Sequence, residues 1–139
     1  MLEFIDSFKY VIVMGAAWLG AHLIKYAIAL SRNEYKTFFL SGGMPSAHSA
    51  LIVALTTLIG LVEGVDSAPF AIALAVAMIV TYDAMHVRRM AAATAREVNK
   101  LQAKQTSPVE VHNGHTGLEV AAGVLLGAAV ALVVFFATK

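Results

Sequence analysis

Four long apolar stretches alternate with polar connections along the chain. They run from about Tyr10 to Leu30, from Ala47 to Val62, from Ala68 to Tyr82 and from Leu118 to Ala137. At about 1.5 Å per residue, a helix of roughly 20 residues crosses the ~30 Å hydrocarbon core of a bilayer. The pattern therefore predicts an all-α integral membrane bundle of about four spans.

The third stretch continues as a helix after its apolar character ends. Residues Asp83–Gln105 keep a helical pattern but are polar and basic, and a breaker-rich segment around Ser107-Pro108 and Asn113-Gly114 follows them. We therefore expect the third helix to extend beyond the membrane. In the fourth stretch, Gly123-x-x-x-Gly127 predicts a small-residue face on which another helix packs closely.

Composition agrees with a membrane protein of one domain. The 139 residues are 59% hydrophobic and 14% charged, whereas soluble domains are nearer half and a quarter. Glu3 and Asp6 stand where a secretory signal would be basic, so we take residues 1–139 as the mature protein, and their number suits a single membrane-embedded domain. The net charge of +1, without a basic stripe, does not favour nucleic acid binding. The absence of cysteine excludes thiolate chemistry.

The distribution of Lys and Arg suggests an orientation. With an even number of spans, the first and third connections lie on one side of the membrane, and they hold most of the cations. The positive-inside rule makes that side cytoplasmic in a multi-pass protein of the cell membrane. Some of these cations could instead belong to a functional site.

The first chemical signal is the segment from Ser41 to Ser49. Gly42 and Gly43 favour a turn, Pro45 suits the start of a helix, and a helix beginning there points unpaired N–H groups at an anion. Ser46 adds a hydroxyl group and His48 an imidazole. A capped helix start with an incidental histidine is the alternative.

Two cations near the end of the first span give the second signal. Lys25 and Arg32 are seven residues apart and so lie on nearly one helix face. A lysine this far into an apolar span is costly unless it faces a partner or a cavity. Snorkelling toward the membrane surface is the alternative. His22, one turn earlier, is expected to pack between helices.

The third signal lies at the end of the third span. Arg88 and Arg89 carry guanidinium groups that hold phosphate through forked hydrogen bonds, and Asp83 could fix one of them. Adjacent arginines also commonly mark a membrane interface, and His86 is expected to be interfacial.

The fourth signal is the pair His115 and Glu119 at the head of the last span. Their i,i+4 spacing places the carboxylate beside the imidazole and leaves the other ring nitrogen as an oriented nucleophile or base. The alternative is that Glu119 only complements the helix dipole.

Three ordered motifs resemble those of a known family. They are Gly42-Gly43-Met44-Pro45-Ser46-x-His48-Ser49, Tyr82-Asp83-Ala84-x-x-Val87-Arg88-Arg89 and Gly114-His115-Thr116-x-x-Glu119-Val120. Together with Lys25 and Arg32 they resemble the divergent branch of the type 2 phosphatidic acid phosphatase family, which is related to acid phosphatases and vanadium haloperoxidases. The sequence departs from the parent pattern at four places: Asn33, Ala47 and Glu119 replace a proline, a glycine and an aspartate, and the arginine stands far before His115 rather than six residues before it.

The resemblance implies phosphate ester hydrolysis without a metal or cofactor. His115 would attack phosphorus, Glu119 would orient it, and His48 would serve as acid and then as base. The phosphate oxygens would be held by residues of the other motifs, namely Lys25, Arg32, Gly43, Ser46 and Arg88 or Arg89, with Asp83 in support.

We therefore expect an integral-membrane phosphatase that acts on a lipid phosphate or diphosphate and contacts membrane lipid. A non-hydrolytic binder of lipid phosphate and a purely structural membrane protein are the alternatives. Because four spans make a small bundle, a homodimer that completes the site is a further expectation.

Overall fold

The computed structural model describes residues 2–33, 43–101, 108–111 and 114–139, and it is helical throughout its regular parts. The helices are α1 (Leu2–Ser31), α2 (Ala47–Glu63), α3 (Ala68–Met85), α4 (Val87–Leu101) and α5 (Gly117–Ala137). The described ranges contain no β-strand. The predicted all-α class is confirmed, and each predicted apolar stretch forms a helix.

Three helical segments are long and apolar enough to cross a membrane: Ser7–Ser31, Ala68–Leu101, which joins α3 and α4, and Gly117–Ala137. The remaining apolar helix, α2, has 17 residues and falls short of that length. It is the central helix, because α1, α3 and α5 all pack against it. The predicted extension of the third helix is confirmed as α4, which follows α3 after the single residue His86.

The core consists largely of small side chains. Val13, Ala17 and Ala21 of α1 pack with Ala50, Ala54 and Leu58 of α2 and with Ala131 of α5, and all are buried. Large apolar side chains point outward instead; Ile72 of α3 and Leu125 of α5 are 66% and 73% exposed. An apolar exterior around a core of small residues is the arrangement that suits a bundle surrounded by lipid.

The predicted glycine face of α5 lies directly on α2. A Cβ atom added at Gly123 would lie 2.4 Å from the carbonyl oxygen of Ser46, and one at Gly127 would lie 2.4 Å from that of Ala50. Both distances are too short for a real contact, so the two backbones approach this closely only because the side chains are absent. The prediction of a close-packed glycine face is confirmed.

Backbone hydrogen bonds bring the start of α2, the end of α3 and the start of α5 together at one end of the bundle. The Ser46 N–H, just before α2, donates to the Glu119 carbonyl in the first turn of α5, and the His115 N–H donates to the Ala84 carbonyl near the end of α3. At the other end, the Tyr10 hydroxyl donates to Glu63 Oε1 over 2.5 Å. The candidate residues therefore converge at the end where α2 and α5 begin.

Candidate functional site

His115 is held in place by the backbone on both sides of it. Its N–H donates a 2.9 Å hydrogen bond to the Ala84 carbonyl at the end of α3. Gly114 allows this approach, because a Cβ there would lie 2.8 Å from the backbone nitrogen of Arg89 and 3.1 Å from the Ala84 oxygen. Thr116 then caps α5, which begins at Gly117. The imidazole is thus fixed between the end of α3 and the start of α5.

Glu119 binds both the helix start and the imidazole. Its Oε2 accepts a 2.9 Å hydrogen bond from the Thr116 N–H, while the Glu119 N–H donates to Thr116 Oγ1 over 3.3 Å. This reciprocal pair is a capping box. The same Oε2 accepts from His115 Nδ1 over 3.2 Å. Glu119 therefore stabilises the start of α5 and also orients His115. The two roles that its sequence position allowed are both present.

The environment of His115 favours its neutral form. The residue is 3% exposed, and this burial lowers the pKa of His115 below its ordinary value, against the raising effect of the hydrogen bond to Glu119. The nearby Lys25 cation lowers the pKa further. With Nδ1–H bound to the carboxylate, the neutral ring carries its lone pair on Nε2.

The other ring nitrogen of His115, Nε2, is not used by the hydrogen bond to Glu119. None of the hydrogen bonds described for this chain involves His115 Nε2, and among the described residues no buried side-chain nitrogen or oxygen atom lacks a partner. Nε2 is therefore not completely buried. This is the atom through which an oriented imidazole would react.

His48 lies in the first turn of α2, beside His115. The Ser46 side chain caps that helix by accepting from the Ser49 N–H over 3.4 Å, and Ser49 Oγ donates to Ser46 Oγ over 3.0 Å. Both serines are fully buried, whereas His48 is exposed. His48 and His115 are close enough for the charge of His115 to act on His48. The structure thus brings together the two histidines that the sequence singled out.

Two cations complete this cluster. Lys25 is half-buried near the end of α1, and its charge acts on His48, His115 and Glu119. The charge of Arg88 acts on both histidines. Lys25, His48, Arg88, His115 and Glu119 are called the site cluster below. It combines two imidazoles, one carboxylate and two cations.

The structure distinguishes between the two adjacent arginines. Arg88 lies 3.5 Å from Asp83, Nε to Oδ2, and faces the site cluster. Arg89 points elsewhere: its Cγ lies against Gly114, and its side chain lines an open cleft of about 460 Å³ on α4 together with Met90 and Arg96. Arg88 is therefore the arginine that folding returns to His115, and Asp83 is positioned to hold it.

Three further residues were predicted to bind phosphate. Arg32 is exposed just past the end of α1, and Gly43 is exposed with φ of +83°, ahead of Pro45. The Ser46 hydroxyl is buried and used within the first turn of α2. Their binding of phosphate stays a prediction. Ser41 and Gly42 lie outside the described residues.

His22 is a neighbour that the sequence analysis placed outside the site. Its ring lies 4.1 Å from that of Trp18, centroid to centroid, and Nδ1 lies 2.8 Å from the Trp18 carbonyl oxygen. Its charge nevertheless acts on His48. Its position one turn before Lys25 is the feature of the sequence that could have placed it near the site. His86, by contrast, stacks on Tyr82 with centroids 4.3 Å apart.

Chemically, the site cluster can do more than hold an anion. Lys25 and Arg88 can neutralise phosphate oxygens, and an oriented neutral imidazole next to them can attack phosphorus. A second, exposed imidazole is available to protonate the departing oxygen. Among the described residues, this is where these functions coincide.

Comparison with known proteins agrees with the motifs. "Uncharacterized membrane protein YuiD" from Bacillus subtilis (strain 168) is 42% identical over 89 residues, which are 62% of this chain and 56% of that protein. The chain thus matches little more than half the length of this relative. No solved structure matches the chain. The family described as "Divergent PAP2 family" matches residues 7–130, nearly the whole sequence, and the chain belongs to this family.

Proposed function

We propose that the protein is an integral-membrane phosphatase that hydrolyses a lipid phosphate or diphosphate through a phosphohistidine on His115. The observation that carries this proposal is the buried His115, whose Nδ1 lies 3.2 Å from Glu119 Oε2 in a cluster with a second histidine and two cations. Membership of a family with phosphatase relatives supports the same chemistry.

The first step of the proposed reaction forms a nitrogen–phosphorus bond. His115 Nε2 attacks phosphorus, and the bond from phosphorus to the leaving oxygen breaks. His48, in its protonated form, gives that oxygen a proton, so the product leaves as an alcohol or a phosphate. Lys25 and Arg88 stabilise the charge on the remaining phosphate oxygens in the transition state.

The second step regenerates the enzyme. His48, now neutral, takes a proton from a water molecule whose oxygen attacks phosphorus. The bond between phosphorus and His115 Nε2 then breaks, and inorganic phosphate leaves. Glu119 keeps the ring oriented in both steps, since its carboxylate stabilises the cationic imidazole while phosphorus is attached.

The position of the cluster supports a lipid substrate. It is built from the ends of membrane-type helices, so a charged headgroup can reach it while the acyl or prenyl chains remain beside the apolar exterior. Phosphatidate, phosphatidylglycerophosphate and a polyprenyl diphosphate have this chemistry. By the positive-inside rule we place the site on the cytoplasmic face of the cell membrane.

A phosphate-release assay on the purified protein in detergent tests this function. The panel comprises the three lipid classes just named, and a chelator is present throughout. We expect phosphate release from at least one lipid with the wild type and none with His115→Ala. Release that persists in His115→Ala overturns the phosphohistidine mechanism.

The phosphoenzyme itself separates hydrolysis from binding. A brief reaction with radiolabelled lipid phosphate should leave label on the wild-type protein that is stable in base and lost in acid, as expected for phosphohistidine. If neither label nor phosphate release is found, but the lipid binds and binding survives His115→Ala while Lys25→Ala or Arg32→Ala abolishes it, the protein is a binder. The experiment thereby decides whether the protein hydrolyses the lipid phosphate or only binds it.

A further inference from the structure

Helix α4 has two chemically distinct faces. Val87, Met90, Thr94, Val98 and Leu101 recur at three- and four-residue spacing and form one apolar face. The basic residues of α4 lie on other sides of the helix: Arg88, Arg89, Arg96 and Lys100. Glu97, its acidic residue, is paired with Lys100 over 2.7 Å.

The chain covers one side of α4, which lies between its apolar face and most of its basic residues. Asn99, on this side, exchanges two hydrogen bonds with the Val109 backbone, of 2.8 Å and 2.7 Å, and so holds the returning segment 108–111. On the same side, Ala92 is buried and Gly114 contacts Arg89. The covered part of α4 is thus a strip that includes Ala92 and Asn99, whereas Arg89, Arg96 and Lys100 are exposed.

Most of the apolar face is exposed. Met90 and Leu101 are 71% and 88% exposed, and Val87 is 52% exposed. In the part of the chain that the structure describes, the helix that packs against α4 is α3, from which it continues. An apolar helix face that is exposed in this way requires an apolar environment outside the protein.

We propose that α4 lies on the surface of the bilayer, with its apolar face (Val87, Met90, Thr94, Val98 and Leu101) inserted at the boundary between headgroups and acyl chains. The attachment of α4 to α3 supports lipid as the partner of this face. Because α3 is a membrane-type helix and only His86 separates the two, the first turn of α4 emerges at the membrane surface. Basic amphipathic helices bind such surfaces. The proposal does not depend on whether the site cluster hydrolyses phosphate.

Charge favours lipid over a second copy of α4. The helix carries four basic residues and one acidic residue, so two copies meeting at their apolar faces would bring like charges together. Anionic headgroups provide the opposite charge, and each Lys or Arg near such a surface adds to the attraction. The apolar face of a 15-residue helix is also small beside the ~800 Å² per partner of a stable protein interface.

Site-directed spin labelling tests the proposal directly, because the chain has no native cysteine. Single cysteines replace Met90 and Thr94 on the apolar face, Lys100 as the matched position on the basic side, and Leu125 as a reference on the exposed apolar side of α5. Each labelled protein is reconstituted in phosphatidylcholine vesicles with increasing phosphatidylglycerol. Collisions of the label with oxygen, which partitions into lipid, and with a water-soluble nickel chelate are then measured.

The expected pattern ranks the four positions. The ratio of oxygen to nickel collisions should be several-fold higher at positions 90 and 94 than at 100, and should approach the value at 125. More phosphatidylglycerol should raise the ratio at 90 and 94. A ratio at these two positions equal to that at 100 overturns the proposal.

Two other results also count against lipid contact. Shielding of positions 90 and 94 from both reagents, with spin–spin broadening between chains, would show that a second copy covers the face. A ratio that does not change with phosphatidylglycerol content would refute the attraction between the basic residues of α4 and anionic headgroups. Met90→Cys and Thr94→Cys both change exposed side chains, so a folding defect in one leaves the other as a test.

Discussion

The backbone N–H of Ser46 donates a 2.8 Å hydrogen bond to the carbonyl oxygen of Glu119. This bond joins the start of α2, which carries His48, to the first turn of α5, which follows His115. The Ser46 carbonyl oxygen in turn lies where Gly123 has no side chain. The separation of the two histidines is therefore set by backbone contacts rather than by their own side chains.

The close approach at Gly123 makes a first prediction. In Gly123→Ala the new Cβ would lie 2.4 Å from the Ser46 oxygen, and backbone on both sides leaves little room for relaxation. We expect a loss of about 1–3 kcal/mol in unfolding free energy, as for other overpacked interiors. Because the added methyl group pushes α2 away from α5, it should also displace His48 relative to His115. Phosphatase activity should therefore fall as well. Thermal unfolding and lipid phosphate hydrolysis in detergent measure the two effects.

Gly20→Ala is the matched control for this prediction. Gly20 also lies within an apolar helix, but a Cβ added there meets no atom within 4 Å. Since alanine has the higher helix propensity, this variant should be as stable as the wild type or slightly more so. Equal behaviour of the two variants would contradict the role assigned to Gly123.

Periodicity and local spacing were sufficient to predict much of this arrangement. The apolar stretches predicted the helices, the i,i+4 spacing predicted the contact of His115 with Glu119, and Gly123-x-x-x-Gly127 predicted the tight helix contact. Each of these depends on residues within one element or on its average environment. Local sequence determines such features directly.

The choice between Arg88 and Arg89 could not be made from the sequence. It depends on the path by which the chain returns from α4, which Asn99 fixes through Val109 and which Gly114 brings against the end of α3. These contacts join residues ten or more positions apart in the sequence, and no periodic pattern predicts them. The approach of His22 to His48 is of the same kind, because it depends on how α1 meets α2.

The two arginines make a second prediction. Arg88→Gln removes a charge that acts on both histidines, whereas Arg89→Gln removes one that faces the cleft on α4. We expect Arg88→Gln to lower kcat by about 10²–10³, the range for loss of one donor that stabilises a transition state. Arg89→Gln should have a much smaller effect. Steady-state kinetics on one lipid phosphate provide the comparison, and a larger loss in Arg89→Gln would reverse the assignment.

A third prediction separates the two functions of Glu119. Glu119→Gln removes the carboxylate that binds His115, while Thr116→Ala removes the other half of the capping box and leaves that carboxylate in place. Loss of the cap should cost about 1 kcal/mol of stability with little change in kcat. Glu119→Gln should lower kcat by roughly 10²-fold or more, because the imidazole loses its orienting acceptor. If both variants lose activity in proportion to their stability, Glu119 is only a cap.

The acidic side of the pH–rate profile reports the protonation of His115. Burial lowers the pKa of this residue, so its reactive neutral form persists to lower pH than in a free histidine, whose pKa is about 6.5. As pH falls through the lowered pKa, the imidazole becomes protonated and can no longer attack phosphorus. We therefore expect the acidic limb of kcat/KM to lie below the ordinary histidine value.

The neighbours of His115 should move that limb in opposite directions. Lys25 lowers the pKa of His115 by its positive charge, so Lys25→Met should raise this pKa and shift the acidic limb to higher pH. The hydrogen bond and charge of Glu119 raise the pKa, so Glu119→Gln should shift the limb to lower pH. Titration of the lipid phosphate itself is common to all three proteins and cancels when profiles on one substrate are compared. Shifts in the same direction, or none, would mean that the limb belongs to a group other than His115.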